Sequence, residues 1–320
     1  MPVLKVILFR FAKTSLAFWL LAVGILIGCD RQKSPSPIPA VTTPQSASGL
    51  DNPVVRVGFI SRYNPRIMFE EYQPIMDYLS GDTPYRFELK LGKTYEDAIH
   101  FLETGQVQIA SLGAVTYLEA HARFNALPIL RPLNEEGRPF YRSLLVVRAE
   151  SPVHSLADLR GRTIAFASVH STSGNLIPRY YMAMAGSHLQ DLRAYKNLKH
   201  HDSVAKAVLA GEFDAGAVKD IIAYKYLDKG LRILHASDPI PSVPFVVRPD
   251  CDPAIIAAVK KALLKIDPSD AATQAMLSTW NAEFRHGFAE TGDADYAVVR
   301  KMLNDIPQRC GNSCHPALRF

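Results

Sequence analysis

The chain has 320 residues, of which 48% are hydrophobic and 21% charged, the balance of an ordinary soluble globular protein with enough length for two domains. Its formal net charge is +5, but Lys5, Arg10 and Lys13 lie in residues 1–28, which hold no acid. The remainder carries 33 basic and 31 acidic residues, a near-neutral body that gives no basis for nucleic-acid binding by bulk charge.

Those three early cations precede an uncharged run from Thr14 to Gly28. That run is short for a membrane span and suits the core of a signal peptide. It closes on Leu26-Ile27-Gly28-Cys29, which resembles the bacterial lipobox. The resemblance implies cleavage after residue 28 and a lipid on Cys29; an ordinary signal peptide or N-terminal anchor is the alternative. Residues 29–53 are crowded with Pro, Ser and Thr and read as a disordered, semi-extended tether. A lipid, a tether and a globular body predict an exported bacterial lipoprotein, held at a membrane while its body works outside the cytoplasm.

From Val54 strand and helix patterns alternate. "VVRVGFI" (54–60) reads as a strand and "IMFEEYQPIMDYLS" (67–80) as a helix; "YRFELKL" (85–91) alternates with period two. "TYEDAIHFLETG" (94–105) is a capped helix ended by glycine, followed by the strand "VQIASLG" (107–113), the helix "VTYLEAHARF" and the strand "YRSLLVVRA" (141–149). The rhythm then restarts with a short helix at 155–161, the strand "RTIAFAS" (162–168) and the helix "GNLIPRYYMAMAG". "SVAKAVLAGEFDAGAV" (203–218) echoes residues 97–115: an amphipathic helix, a glycine stop and a buried strand of small residues. Helices at 253–266 and 271–284 finish the body. Such alternation predicts an α/β protein with mostly parallel sheet. Two similar units predict two lobes, with crossings near Arg148–Pro152 and near Ile240–Arg248. The second crossing is stiffened by four prolines between Pro239 and Pro249. The expected division is 54–148 plus 248–306 for the first lobe and 149–247 for the second, with 307–320 as a cysteine-containing tail.

Ligands in open α/β sheets sit beyond the carboxyl ends of strands, which brings "SLGAVTY", "ASVHSTSGN" and "DAGAVKD" to one rim. In "HSTSGN" three consecutive hydroxyls stand before a helix whose Pro178 belongs in its first turn, so the helix should begin close to Ser173–Ile177. Ser171, Thr172 and Ser173 then flank unpaired backbone N–H groups and the positive end of a helix dipole. One hydroxyl is explained by a cap; three fit either a polar turn or an uncharged socket for an oxyanion. Arg62, Arg66 and Arg142 fall near the same rim by chain order, without a defined orientation.

"LADLRGRTIAFASVHSTSGNLIP" resembles the phosphonate/phosphite/phosphate-binding family of ABC-importer solute receptors, in which a segment S-T-S-G-x-L-x-P follows the same strand. The likeness extends through "VGFISRYNP…YQPIMDYLS", "YRSLLVVR", "HDSVAKAVLAGEFDAGAV" and "IPSVPFVVR", covering most of residues 54–250. It implies a type II periplasmic binding-protein fold: two α/β lobes, two crossover hinge strands and a ligand cleft between the lobes. It also implies Ser171, Thr172 and Ser173 as oxyanion donors and His201 as a further contact, where the residue alone would read as a surface or helix-start histidine. Thr116 and Tyr117 would line the cleft from the first lobe, the alternative for Tyr117 being a core position. Tyr63, in the loop after the first strand, would close over the ligand's substituent or stand as an exposed turn residue. Lys219 suits a dianionic phosphoryl group, while Asp220 would bond a ligand amine or pair with Lys219. The departure is Ser168-Val169-His170 before the serines, where related proteins often carry an Asp-Pro approach; it bears on ligand identity.

The implied function is capture of a small phosphorus oxyanion by a monomer that presents it to a membrane permease, with no catalysis. H-E-x-x-H, P-loop and G-x-S-x-G patterns are all missing from the sequence. A sensory receptor of the same fold is one alternative. The other is an exported redox protein using "CGNSCH". There Cys310 and Cys314 are separated by three residues where haem attachment usually has two, so a disulfide between them is preferred to haem at Cys310, Cys314 and His315. Neither a cofactor nor a metal is expected.

Overall fold

The computed structural model describes residues 52–310, with side chains to Ile306. The leader, the tether, Cys29, Cys314 and His315 lie outside the described residues, as does the side chain of Cys310.

The first sheet begins with β1 (Val54–Phe59), whose inward residues alternate until the strand becomes wholly buried at Val57–Phe59. It pairs in parallel with β2 (Arg86–Leu91) on one side and β3 (Ile109–Ser111) on the other, placing Val57 opposite both Leu89 and Ile109. Helix α1 (Pro65–Asp82) joins β1 to β2. Asn64 Oδ1 accepts from Ile67 N at 3.1 Å to start it, and Pro65 occupies a first-turn position where no N–H is missed. Its Met68, Tyr72, Ile75, Met76 and Leu79 form one buried stripe. Helix α2 (Tyr95–Glu103) carries a Thr94/Asp97 capping box, and α3 (Ala114–Phe124) ends on Asn125 in the left-handed region at φ 56°. Three antiparallel additions complete the sheet: β4 (Leu127–Pro132), β12 (Phe245–Val247) and β13 (Phe288–Glu290), in the order β13-β4-β12-β3-β1-β2.

The strands of the second sheet are β6 (Ser143–Arg148), β7 (Thr163–Phe166), β8 (Ala194–Asn197), β9 (Ala215–Lys219) and β10 (Leu231–Ala236), in the order β10-β6-β9-β7-β8. β7 is parallel to β8 and β9, while β6 runs antiparallel to β9 and β10. Helices α4 (Ile177–Met184), α5 (His201–Leu209) and α6 (Asp220–Leu227) flank it. A Cβ at Gly216 would lie 2.6 Å from Val204 Cγ1 and 2.7 Å from Val208 Cγ2, so glycine in β9 lets α5 pack directly on the sheet. That seating fixes His201 at the helix start.

Both sheets are therefore mixed, and the sheet membership moves both expected boundaries. Ser143–Arg148 belongs to the second sheet and Phe245–Val247 to the first, so the first crossing falls at 133–142 instead of 148–152 and the second at 237–244 instead of 240–248. The two crossings meet as a small antiparallel ladder of β5 (Phe140–Tyr141) and β11 (Ile240–Pro241). The signal for the shift is pairing: the apolar run 144–147 is buried on both faces and needs strand neighbours on both sides, which β9 and β10 supply.

The chain then returns to the first lobe through α7 (Pro253–Leu264), α8 (Ala271–Leu277) and α9 (Ala297–Cys310). The helix expected over 271–284 breaks: α8 stops at Leu277, and a 3-10 turn covers Ala282–Phe284, started by Asn281, whose Oδ1 accepts from Glu283 N at 3.0 Å. Tertiary packing outweighs helical periodicity here. Phe284 enters an aromatic cluster in which Phe59 stacks on Tyr72 at 4.4 Å and Phe284 meets both edge-on, at 6.1 and 5.9 Å. Among the described residues no helix is long and apolar enough to cross a membrane.

Candidate functional site: the interlobe cleft

The carboxyl ends of β1 and β3 in one lobe and of β7 and β9 in the other face each other across the cleft. From β7 the chain enters the serine turn. Residues Thr172–Leu176 form a single π-type turn that leads into α4, so the α-helix proper starts at Ile177 with Pro178 in its first turn. Ser171 Oγ accepts from Gly174 N at 3.0 Å as the cap. Gly174 O in turn accepts from Ala167 N at 2.8 Å, tying the turn to the end of the strand. Asn175 Nδ2 donates to Val169 O at 2.7 Å, and Asn197 Nδ2 donates to Ala167 O and Asn175 Oδ1 at 2.7 and 2.9 Å. The turn is thus rigid before any ligand is considered.

Each hydroxyl of the turn has a different partner. Ser171 also accepts from His201 Nε2 at 3.2 Å and meets the Tyr95 hydroxyl. Thr172 Oγ1 crosses the cleft and accepts from Val115 N at 3.0 Å. Ser173 bonds the Tyr141 hydroxyl through its side chain, and its carbonyl accepts from Ser143 Oγ at 2.6 Å. All three are only 3% exposed, so the turn is sealed between the lobes.

His201 is uncharged. Its Nδ1 accepts from Lys219 N at 3.2 Å, which assigns the proton to Nε2. Burial, assisted by the positive charges of Lys219 and Arg62, lowers its pKa to about 3. A histidine that stays neutral in the fold takes up a proton on unfolding, so its contribution to stability is lost as pH falls from about 6.5 towards that value.

Lys219 and Asp220 do not pair with each other. Asp220 Oδ2 accepts from Arg142 N at 2.7 Å and Oδ1 from Ile221 N at 2.8 Å, and burial raises its pKa. Lys219 Nζ instead meets Glu283 Oε1 and lies 4.0 Å above the Tyr141 ring. Glu283 Oε2 accepts from Arg62 Nη1 at 2.5 Å. Arg62, Lys219 and Glu283 are all nearly inaccessible, and burial together with the charge of Arg62 holds the Lys219 ammonium well below its usual range. Arg62 Nη2 is buried with no hydrogen-bond partner among the described residues.

Two expected contacts point elsewhere. Tyr117 donates to Asp293 Oδ1 at 2.6 Å and packs on Tyr296 within the first lobe, and Thr116 bonds only its own cap, Gly113. What α3 offers the cleft is the backbone N–H of Val115. Tyr63 is 3% exposed and its hydroxyl meets Asn281; burial raises its pKa strongly. Arg66 is exposed on α1 and pairs with Glu70. Tyr95, Tyr141 and Glu283 also reach this region, outside the set of residues that the sequence predicts. Tyr95 follows the end of β2 on the same rim, a position that the strand-end rule could have flagged. A cavity of about 350 Å³ opens beside the cluster, lined in part by Tyr141, Lys219, Asp220 and Glu283, while the serine turn lies behind them. Among the described residues no group of His, Cys, Asp or Glu is arranged to hold a metal.

His170, the residue that departs from the usual approach, bridges the lobes. Its Nδ1 lies 3.2 Å from Glu119 Oε2 on α3 and its Nε2 3.5 Å from Glu96 Oε1 on α2. Although burial acts against it, these carboxylates raise its pKa. Stability from this contact is therefore full below about pH 6.5 and is lost as pH rises through the elevated folded value. His170→Gln should destabilise by about 1 kcal/mol at pH 6 and by nothing measurable at pH 9. A pH-independent gap in thermal midpoint would mean that packing, not charge, carries the contact.

Two lobes joined by a paired-strand hinge, with a rigid hydroxyl turn sealed between them, define a type II periplasmic binding protein. The chain belongs to the family described as the periplasmic substrate-binding protein of the phosphonate ABC transporter, whose model matches residues 57–296. It is 26% identical over 284 residues to the phosphate-import protein PhnD of Mycolicibacterium smegmatis, covering 82% of this chain and 88% of that protein. In structure it is similar to a binding protein component of an ABC phosphonate transporter from Pseudomonas aeruginosa (TM-score 0.73, 21% identity, 81% and 88% of the two chains). It is also similar to PhnD1 of Prochlorococcus marinus in complex with methylphosphonate (TM-score 0.70, 18% identity, 81% and 100%).

Proposed function

We propose that this protein is a lipid-anchored receptor that captures a small phosphorus oxyanion, namely phosphate, phosphite or a phosphonate, and delivers it to an ABC permease without chemical change. The observation that carries the reading is the Ser171-Thr172-Ser173 turn, three hydroxyls buried at the interlobe face beside an uncharged histidine and two tyrosine hydroxyls. Neutral donors held in a dry cleft bind an oxyanion strongly, since they need no reorganisation and have no water to compete with. Thr172 already bonds the opposite lobe, so ligand capture and closure share one group. The anchor at Cys29 and the tether would keep the body near its permease.

The test is a thermal-shift series on the full-length protein with phosphate, phosphite and methylphosphonate. A ligand at a hundredfold over its dissociation constant should stabilise by about 2.7 kcal/mol. Thr172→Ala combined with Ser173→Ala should abolish the shift while the circular dichroism of the fold persists. A full shift in the double variant would move the ligand away from this turn.

A further inference from the structure

Glu283 is the buried group that the anion-binding reading leaves unexplained. It sits in the cleft wall, two side chains away from the serine turn: its partner Lys219 packs on Tyr141, and Tyr141 bonds Ser173. Its position is built. Asn281 caps its backbone N–H, and Phe284 is locked in the aromatic cluster.

Glu283 answers both Arg62 and Lys219, Asp220 is held by backbone N–H groups, and Ser171, Thr172, Ser173, Tyr95, Tyr141 and His201 are neutral. Arg142, which donates to the Ser237 carbonyl, and His286 also line the adjoining cavity. An anion that enters the cleft therefore meets Glu283 with both of its bonded cations already engaged, beside an Arg142 guanidinium bonded to a carbonyl. An ionised carboxylate only accepts hydrogen bonds, and each Glu283 oxygen holds one cation and keeps a free lone pair. A tetrahedral anion whose oxygens all lack hydrogen meets that carboxylate as two acceptors in a dry site, a costly arrangement. A ligand that keeps one P–OH donates to it.

We propose that Glu283 is a specificity-determining residue that selects protonated phosphorus oxyanions and rejects anions without a proton, such as sulfate and sulfonates. The inference rests on the phosphorus-oxyanion reading and assigns its charge state. Methylphosphonate and methanesulfonate share shape and differ in whether an oxygen can carry a proton near neutrality, so they isolate the effect.

Calorimetric titration of the full-length protein, repeated in His170→Gln and in Lys219→Met to remove the titrations of those two groups, should give methylphosphonate at least about 100-fold tighter than methanesulfonate. Methylphosphonate affinity should fall about tenfold per pH unit above the ligand's second ionisation. Glu283→Gln should shrink the preference at least about tenfold and flatten the pH profile, whereas Glu283→Asp keeps both. Equal binding of the two ligands by the wild type, or an undiminished preference in folded Glu283→Gln, overturns the assignment. If Glu283→Gln does not fold, the wild-type pH profile decides, and a flat profile overturns the proposal. Wild-type protein that binds neither methylphosphonate nor phosphate at any pH refutes the phosphorus reading itself, a separate result.

Discussion

Gly174→Ala is expected to eliminate ligand binding and to cost the fold about 3 kcal/mol or more. The backbone at Gly174 is not in a glycine-only conformation; the constraint is space. A Cβ there would lie 2.4 Å from Ala167 Cβ, 2.7 Å from His201 Cε1 and 3.0 Å from Ser171 Oγ. Ala167 follows β7 and has no side-chain rotamer to change, so the backbone of the turn must move. Any such movement stretches the Ser171 cap and the Ala167–Gly174 bond at once, and pushes His201 off Ser171. Gly81 is the internal control. A Cβ there meets nothing within 4 Å, and its place in the last turn of α1 favours alanine by up to about 1 kcal/mol. Urea denaturation of both variants, with phosphate titrated into each, checks the contrast. Comparable stability in the two would show that the turn has slack that the packing distances deny.

The division between what the chain reveals and what it conceals follows the range of each interaction. The serine turn is legible because its chemistry is local: three hydroxyls, a glycine and a proline within eight residues can satisfy few other requirements. Helices α1 and α2 are legible for the same reason, since Asn64 and Thr94 announce their starts beside apolar stripes. The first crossing is misplaced because the run 143–148 looks alike in either lobe, and only its partners, strands some 70 to 90 residues later, decide the sheet. Tyr117 fails for a related reason. Its place after a strand is right for the cleft, but the helix phase turns its ring towards Asp293, 176 residues away. Glu283 is hidden twice over. Its partner Arg62 is 221 residues distant, and the surrounding periodicity reads as continuous helix where Asn281 starts a new turn. Polar partners brought together by lobe packing carry no local pattern, which is why the charged half of the site emerges only in three dimensions.

The two cations of that charged half should respond very differently to removal. Arg62→Met is expected to destabilise by about 3 kcal/mol, and Lys219→Met by less than about 1 kcal/mol. Without Lys219 the Arg62–Glu283 pair survives within the first lobe as a balanced unit. Without Arg62, Glu283 depends on a lysine reaching from the other lobe, one whose charged form burial already disfavours. Removing the arginine also removes one of the influences that lower the lysine's pKa, so Lys219 becomes more basic and less free to shed its proton. The sign of the accompanying pH effect is set by the same depression. In the wild type the unfolded chain binds a proton that the folded chain holds weakly, so this component of stability rises with pH towards the ordinary lysine range. Lys219→Met should lose that slope, and Arg62→Met should reduce it. Chemical denaturation at several alkaline pH values measures both quantities. Should Lys219→Met prove the more damaging of the two, the lobe-spanning contact, and not the Arg62–Glu283 pair, would be what holds the carboxylate in the cleft.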